Sequence, residues 1–258
     1  MNKMFKGFCF IAIMLSLLVG HVLAQTKSKA PVKKAGVRTI APTKAVTPVG
    51  MPWMQLTTKE RLVEISTDYG VMIAKLYDST PLHRDNFLKL VDQKFYDSLL
   101  FHRVINQFMI QGGDPTSKTA PDGVPLGSGS IKGDRVPAEF KPYFFHKRGA
   151  LAAARDENPM KASSNCQFYI VHGKNVSPQE LDNISGQRSK SANISSSYSS
   201  QQKEIYNRIG GTPFLDQNYT VFGEVISGLD VIDKISRAPK DQTDRPLQNI
   251  RMKVRLLN

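Results

Sequence analysis

The sequence has almost no cysteine. Among its 258 residues only Cys9 and Cys166 are cysteines, and Cys9 lies in an N-terminal segment that we predict to be removed. One remaining thiol cannot form an intrachain disulfide, so a disulfide-held scaffold is excluded and the apolar core must hold the fold. No histidine or aspartate close to Cys166 in the sequence supports a nucleophile, and we interpret Cys166 as a structural thiol.

Acidic residues are missing from the first 52 positions. That segment carries eight lysine and arginine residues, so it accounts for +8 of the formal net charge of +13 and leaves +5 for residues 53–258. The basic charge therefore belongs mostly to a tail. The mild charge of the rest of the chain argues against a nucleic-acid-binding domain.

Long apolar runs are also missing. The run Phe8–Val19 has twelve residues, one of them a serine, whereas a membrane-spanning helix needs about 20. Two lysines precede this run, and small or aliphatic residues follow it at 22–24, which is the pattern of a signal peptide over residues 1–24. We expect cleavage and export to the periplasm. The sequence leaves open an uncleaved membrane anchor over residues 8–24, or secretion.

Residues 25–52 are rich in lysine, alanine, threonine and valine, and prolines interrupt them at Pro31, Pro42, Pro48 and Pro52. This composition predicts a flexible basic linker. The linker is either a solvated spacer or a segment that makes weak contact with anionic lipid or envelope polymers.

A folded domain is predicted over residues 53–258. Arg61–Thr67 and Val71–Tyr77 flank the turn residues 68–70, which predicts a β-hairpin. Further short apolar runs, separated by loops rich in Gly, Pro and Asp, are 100–105, 108–111, 150–154, 167–172, 219–226 and 250–256.

Two helices are predicted beside these strands. Thr80 and Pro81 are typical of an N-cap and first helical position, and this helix places Phe87, Leu88 and Val91 on one face. Residues 228–235 have Leu229, Ile232 and Ile235 at helical spacing. Many short strands with two helices favour a closed or nearly closed β-barrel with helical covers.

Residues 174–212 do not fit such a barrel. They are rich in Ser, Asn, Gln and charge, with few apolar residues to anchor them. We predict an insertion within a loop, with short helices at 178–182 and 201–209 and a mobile serine-rich middle.

The segment Phe101–Asp114 reads FHRVINQFMIQGGD. It closely resembles the signature of the cyclophilins, and three further segments follow in that family's order: 149–155, 165–170, and 212–216 with 219–225. The resemblance covers residues 60–258 apart from the insertion. It implies a mainly β fold, an eight-stranded antiparallel barrel capped by two helices, with a peptide groove on its outside. It also implies peptidyl-prolyl cis/trans isomerase activity without a cofactor.

The resemblance implies a role for eleven residues. Arg103 matches the catalytic arginine of the family, and the other matches are proposed to bind substrate. These are Phe108, Met109, Gln111, Ala154, Arg155, Gln167, Tyr169, Phe214, Leu215 and Tyr219. Three positions depart from the eukaryotic pattern: Phe214 stands where many members have Trp, Tyr219 where many have His, and Cys166 where Ser is usual.

An arginine beside an apolar pocket suits this chemistry. Rotation about an X–Pro bond breaks amide resonance, at a barrier of about 18–20 kcal/mol. In the twisted transition state the imide nitrogen regains its lone pair. A donor fixed at that nitrogen stabilises the transition state more than the planar ground states, and no nucleophile or metal is needed.

Other functions remain open at this point. A peptide-binding chaperone would keep the same pocket without turnover, and an envelope-binding protein would depend on the basic linker. The expected partners are proline-containing peptides and unfolded exported proteins, with no nucleic acid, and nothing in the sequence suggests an obligate dimer. The histidines His83, His146 and His172 lack metal-ligand spacing, so no metal site is predicted.

Overall fold

A computed structural model describes residues 61–192 and 197–257, all within the unit Pro52–Asn258. The predicted signal peptide, linker and start of the domain at residue 53 lie outside the described residues, as does the centre of the serine-rich stretch, 193–196. Within the described ranges, no helix is long and apolar enough to span a membrane.

The described part of the chain contains eight strands. They are β1 (Arg61–Thr67), β2 (Gly70–Leu76), β3 (Phe101–Ile105), β4 (Met109–Gly112), β5 (Ala150–Ala153), β6 (Phe168–Val171), β7 (Val221–Ser227) and β8 (Met252–Leu257). All pairings are antiparallel, in the order β3-β4-β6-β5-β7-β2-β1-β8. The sheet curls so that its edges approach each other through one bridge, Leu100 to Arg251. The predicted eight-stranded antiparallel fold is confirmed.

The first hairpin shows how the pattern of residues becomes this sheet. Val63 and Ile65 of β1 and Met72 and Ala74 of β2 alternate with more exposed residues, and all four are fully buried. A period of two places them on one face, toward the interior of the curled sheet. Gly70 has φ +130°, and a Cβ there would lie 2.9 Å from Val231 Cγ2, so both the turn and the packing require glycine.

Four helices of eight residues or more lie in the described ranges: α1 (Pro81–Asp92), α2 (Pro178–Ala192), α3 (Ser200–Ile209) and α4 (Leu229–Ser236). The two predicted covers are α1 and α4. Helix α1 buries Phe87, Leu90 and Val91, while Leu88 is only partly buried. Helix α4 buries Val231, Ile232 and Ile235, so Leu229, predicted on that face, is replaced there by Val231.

The start of α1 departs from its sequence-based prediction. Thr80 is the N-cap residue, but its side chain makes no capping hydrogen bond. Instead, Glu139, from a distant loop, accepts hydrogen bonds from the Leu82 and His83 backbone N–H groups at 3.1 and 3.0 Å. The first turn of α1 is therefore capped by a tertiary contact, which satisfies donors that a helix start leaves free.

The insertion has a small core of its own. Val176, Leu181, Tyr198 and Tyr206 are buried together between α2, α3 and the barrel. The apolar residues of this segment are few, but Val176 and Leu181 together with two tyrosines are enough to anchor it. Helix α2 also runs ten residues beyond its predicted end at 182, to Ala192.

The sheet has two apolar faces. Its inner face packs Ile110, Leu151 and Phe168 into the main core. The residues that alternate with them on β4, β5 and β6 point outward and form a second cluster: Met109, Ala150, Ala152, Tyr169 and Val171. Other apolar side chains, among them Phe108, Phe144 and Leu215, pack over this outer cluster.

His102, on β3, gives a testable pH dependence. It is 3% exposed, and burial lowers the pKa of His102 to about 4, against about 6.5 in the unfolded chain. As pH falls below about 6.5, the unfolded state binds the proton first, so stability is lost down to about pH 4. Between pH 7 and 4.5 this histidine should cost about 2 kcal/mol of unfolding free energy.

Urea unfolding of the native protein and of His102→Leu at pH 7 and pH 4.5 measures this cost. The drop in unfolding free energy should be about 2 kcal/mol smaller in the variant, whatever its stability at pH 7. Equal drops in the two proteins would contradict the assignment. His83 and His172, whose pKa values burial also lowers, contribute equally to both.

Candidate active site

A cavity of about 100 Å³ opens on the outer apolar face of the sheet. Nine residues line it, and all nine are among the eleven proposed from the sequence. They are Arg103, Phe108, Met109, Gln111, Ala154, Arg155, Tyr169, Leu215 and Tyr219. Gln167 and Phe214 do not line the cavity.

The pairing of β4 with β6 brings together the residues that form the floor of the cavity. Met109 and Gln111 lie two apart on β4 and so share a face, and Gln111 pairs with Tyr169 on the neighbouring strand β6. Met109 and Tyr169 are buried. Leu215 closes another side from a short 3₁₀ turn, Pro213–Leu215. The result is a slot walled by apolar side chains, with the Gln111 amide on one side.

Arg103 stands at the rim of this slot. It pairs with Gln111 across β3 and β4, and its side chain is 41% exposed. The centre of its guanidinium group lies 6.0 Å from the Phe108 ring centroid, and its Nε lies 3.9 Å from Asp244 Oδ2. Among the described residues nothing hydrogen-bonds its two Nη groups. The guanidinium is thus held from one side, and its terminal donors remain available.

Asp244 is itself held in place. Its backbone oxygen accepts a hydrogen bond from Val104 N at 2.8 Å, and its Oδ1 lies 2.6 Å from Lys240 Nζ. The sequence-based site did not include Asp244, because it is 141 positions beyond Arg103 and has no motif of its own.

Gln167 lies behind Gln111. Its Nε2 donates to the backbone oxygens of Gly127 and Gly129 at 2.9 and 2.7 Å, and its Oε1 accepts from Gln111 Nε2 at 3.1 Å. Gln167 is therefore placed to orient Gln111, and its amide is already used within the protein. Gln111 keeps its carbonyl oxygen and a second amide hydrogen for the cavity.

Asp114, the last residue of the FHRVINQFMIQGGD motif, anchors the loop that holds Gln167. It is buried and accepts hydrogen bonds from Thr116 and from the Gly127 and Gly129 backbone N–H groups. Burial acts to raise the pKa of Asp114, but these hydrogen bonds outweigh it, so the pKa is lowered and the carboxylate stays ionised. Gly113 has φ +94°, and a Cβ there would lie 2.3 Å from the Cys166 backbone oxygen. The end of the motif therefore supports the residues of the same motif that line the cavity.

A family model described as cyclophilin type peptidyl-prolyl cis-trans isomerase/CLD matches residues 62–255. The chain belongs to the cyclophilin family.

Relatives agree with this assignment. A protein of Staphylococcus epidermidis named peptidyl-prolyl cis-trans isomerase is 32% identical over 197 residues, which cover 76% of this chain and 91% of that protein. A Staphylococcus aureus protein of the same name is 33% identical over 189 residues, 73% of this chain and 87% of that protein. A Cryptosporidium parvum cyclophilin structure has a TM-score of 0.57 at 24% identity, covering 77% of this chain and 98% of that one. The protein is a cyclophilin-type peptidyl-prolyl cis-trans isomerase with the cyclophilin fold.

The three residues that depart from the eukaryotic cyclophilin pattern, Phe214, Tyr219 and Cys166, lie in different surroundings. Phe214 is 55% exposed and lies outside the cavity, with its ring 5.7 Å from that of Phe108, so it extends the aromatic wall outward. Tyr219 lies under Arg155, whose guanidinium centre is 4.6 Å from the Tyr219 ring centroid. Cys166 is buried, and burial raises the pKa of its thiol, so this cysteine is unsuited to nucleophilic chemistry.

The described residues contain no group of three or more His, Cys, Asp or Glu side chains that could hold a metal ion. His146 is instead used in a hydrogen-bond network behind Tyr169, together with Asp216. Sequence reasoning assigned neither residue to the site. Their only signal was the position of Asp216 at the end of the 212–216 segment.

Proposed function

We propose that this cyclophilin accelerates X–Pro rotation by a hydrogen bond from Arg103 to the imide nitrogen while the cavity holds the proline ring. The observation that carries the proposal is the guanidinium at the rim of an apolar slot of about 100 Å³. Sites for drug-sized ligands have roughly 300–1,000 Å³. A slot this small suits one side chain rather than a larger ligand.

The arrangement favours the transition state over either ground state. In the planar imide the nitrogen lone pair is delocalised, and it becomes an acceptor only as the bond twists. A donor at that point therefore binds the twisted state more strongly, which is the condition for catalysis. Arginine suits this role because it stays charged and its donors lie in a rigid plane.

The neighbours of Arg103 prepare it for this role. Asp244 and the Phe108 ring restrict the guanidinium from the Nε side and from one face. Phe108, Met109, Tyr169 and Leu215 exclude water around the bound ring, which strengthens the interaction with the nitrogen. Gln111 supplies an amide for the peptide backbone beside the proline.

The substrates proposed are proline-containing segments of exported proteins. Another Cryptosporidium parvum cyclophilin structure, with TM-score 0.55, was determined in the presence of the dipeptide Ala-Pro. That dipeptide is a reasonable minimal probe for this chain. Export rests on the signal-like residues 1–24, so exported clients follow only if that prediction is correct.

Exchange NMR on a short Ala-Pro peptide tests the activity directly. Uncatalysed exchange takes tens to hundreds of seconds, so substoichiometric native protein should produce cis–trans exchange cross-peaks that are absent without it. If the peptide binds but shows no acceleration, the isomerase proposal fails and a peptide-binding chaperone remains.

Export is tested separately. Residues 1–52 are fused to a reporter enzyme that becomes active only outside the cytoplasm, and the same fusion lacking residues 1–24 serves as control. We expect activity that depends on residues 1–24 and a mature N-terminus at Gln25. An inactive fusion contradicts export, and an active uncleaved fusion in the membrane fraction supports the retained anchor.

A further inference from the structure

A buried hydrogen-bond network lies behind the cavity. The Tyr169 hydroxyl is 2.9 Å from His146 Nε2, and His146 Nδ1 is 2.7 Å from Asp216 Oδ1. The His146 backbone N–H donates to the same carboxylate oxygen at 2.8 Å. Because Nδ1 donates to a carboxylate, Nε2 is left to accept the Tyr169 hydroxyl hydrogen. The orientation of a cavity-lining ring is thereby tied to Asp216.

The other end of this network is the insertion. The second oxygen of Asp216 accepts hydrogen bonds from Tyr206, in α3, at 2.7 Å and from Tyr198, just before α3, at 3.0 Å. Arg188 of α2 lies over the Tyr198 ring at 4.9 Å and donates to the Asp216 backbone oxygen at 3.1 Å. Both helices of the insertion therefore contact the same residue, Asp216: α3 and the residue just before it through the carboxylate, and α2 through the backbone oxygen.

All five side chains of this network are buried: Tyr169, His146, Asp216, Tyr198 and Tyr206. Burial raises the pKa of Tyr169 and of Tyr206 well above 10, so both hydroxyls keep their protons and act as donors. Hydrogen bonds to a buried carboxylate are among the stronger ones in proteins, since water cannot replace them. Asp216 also directly follows Leu215, a second wall of the cavity.

We infer that the insertion positions the proline pocket: Tyr206 and Tyr198, acting through Asp216 and His146, hold the Tyr169 ring where the proline ring binds. The inference rests on the proposed function of the cavity. It assigns Tyr206, Tyr198, Asp216 and His146 as positioning residues, since none of them lines the cavity. It also gives the insertion a task in substrate binding.

The alternative is that the network only attaches the insertion to the barrel. The two interpretations predict different activities when the Tyr206 and Tyr169 hydroxyls are removed together. If Tyr206 acts through the Tyr169 hydroxyl, its removal matters only while that hydroxyl is present, so the two losses are not additive. A purely structural attachment would leave Tyr169 unaffected.

The test is a double-mutant cycle of Tyr206→Phe and Tyr169→Phe, which each remove one hydroxyl. Activity is measured by exchange NMR on the Ala-Pro peptide as kcat and KM. We expect Tyr206→Phe to lower kcat/KM about fivefold, mostly through KM, as for one lost positioning hydrogen bond. In the Tyr169→Phe background the same change should have less than twofold effect. Tyr143→Phe, at an exposed tyrosine away from the network, is the matched control.

The Tyr169 ring and Leu215 methyl resonances provide a readout besides activity. They should shift in Tyr206→Phe and stay in place in Tyr143→Phe. Unchanged resonances with unchanged KM, or fully additive effects in the cycle, overturn the inference. If Tyr206→Phe does not fold, Tyr198→Phe, which removes the longer bond, takes its place in the same cycle. If the native protein does not accelerate exchange, the proposed function is refuted. If the native protein is active and Tyr206→Phe has the same kcat/KM, only the positioning role is refuted.

Discussion

Replacing Arg103 by alanine is expected to lower kcat/KM for an Ala-Pro peptide by roughly 10²–10³-fold, the usual cost of removing one donor aimed at the transition state. Peptide affinity should change far less, because the apolar walls at Phe108, Met109, Tyr169 and Leu215 are untouched. Exchange NMR gives the rate, and a chemical-shift titration gives the affinity. A large loss of rate with binding retained is the signature of differential transition-state binding.

Two further variants test whether the loss of activity is specific to the guanidinium of Arg103. Arg103→Lys keeps the charge but loses the planar donor group, so we expect it to recover only a small part of the lost activity. Arg135→Ala removes an exposed arginine that pairs with Asp156, outside the cavity, and should leave the activity unchanged. If Arg103→Ala kept kcat/KM within threefold of the native value, the assigned mechanism would be wrong.

Replacing Glu139 by alanine is expected to lower the free energy of unfolding by about 3 kcal/mol. Its carboxylate accepts two backbone N–H groups of α1 and lies 2.7 Å from Nδ1 of His83, which is buried. Without Glu139 the start of the helix loses its cap, and a buried ring nitrogen loses its partner. Each loss costs about 1–2 kcal/mol.

Urea unfolding at pH 7 measures this effect. Glu139→Gln keeps one acceptor oxygen and should lose about half as much stability. Glu157→Ala, a glutamate-to-alanine change at an exposed position, is the matched control and should alter stability by less than about 0.5 kcal/mol. A loss below about 1 kcal/mol for Glu139→Ala would show that the contact does not cap α1.

The local sequence pattern predicted the structure where the interacting residues are close in sequence or where apolar residues recur periodically. The alternation within β4 separates Ile110, in the core, from Met109 and Gln111, in the cavity, and the motif at residues 101–114 supplies four of the nine residues that line the cavity. The hairpin β1–β2 was readable for the same reason, because a two-residue turn joins strands of period two.

The local sequence pattern did not predict contacts in which a hydrogen-bond partner lies far along the chain. Thr80 looks like a side-chain cap, yet Glu139, 57 residues beyond Leu82, performs that task. Gln167 matches a substrate-binding position, yet its amide is used by the 127–129 loop, about 40 residues away. The insertion has few apolar residues in its sequence, yet Tyr198 and Tyr206 are buried against Asp216.

The sequence by itself determined the strand and helix positions that carry the main core, because these depend on short-range periodicity. The resemblance of four segments to the cyclophilins added the family and the nine residues that line the cavity. The tertiary structure alone decided which side chains line the cavity and which support them from behind. Asp244, Glu139, His146 and Asp216 acquire their roles from hydrogen bonds and ion pairs across 56 to 141 residues of chain. Such partners are chosen by three-dimensional packing, which leaves no local trace in the residues themselves.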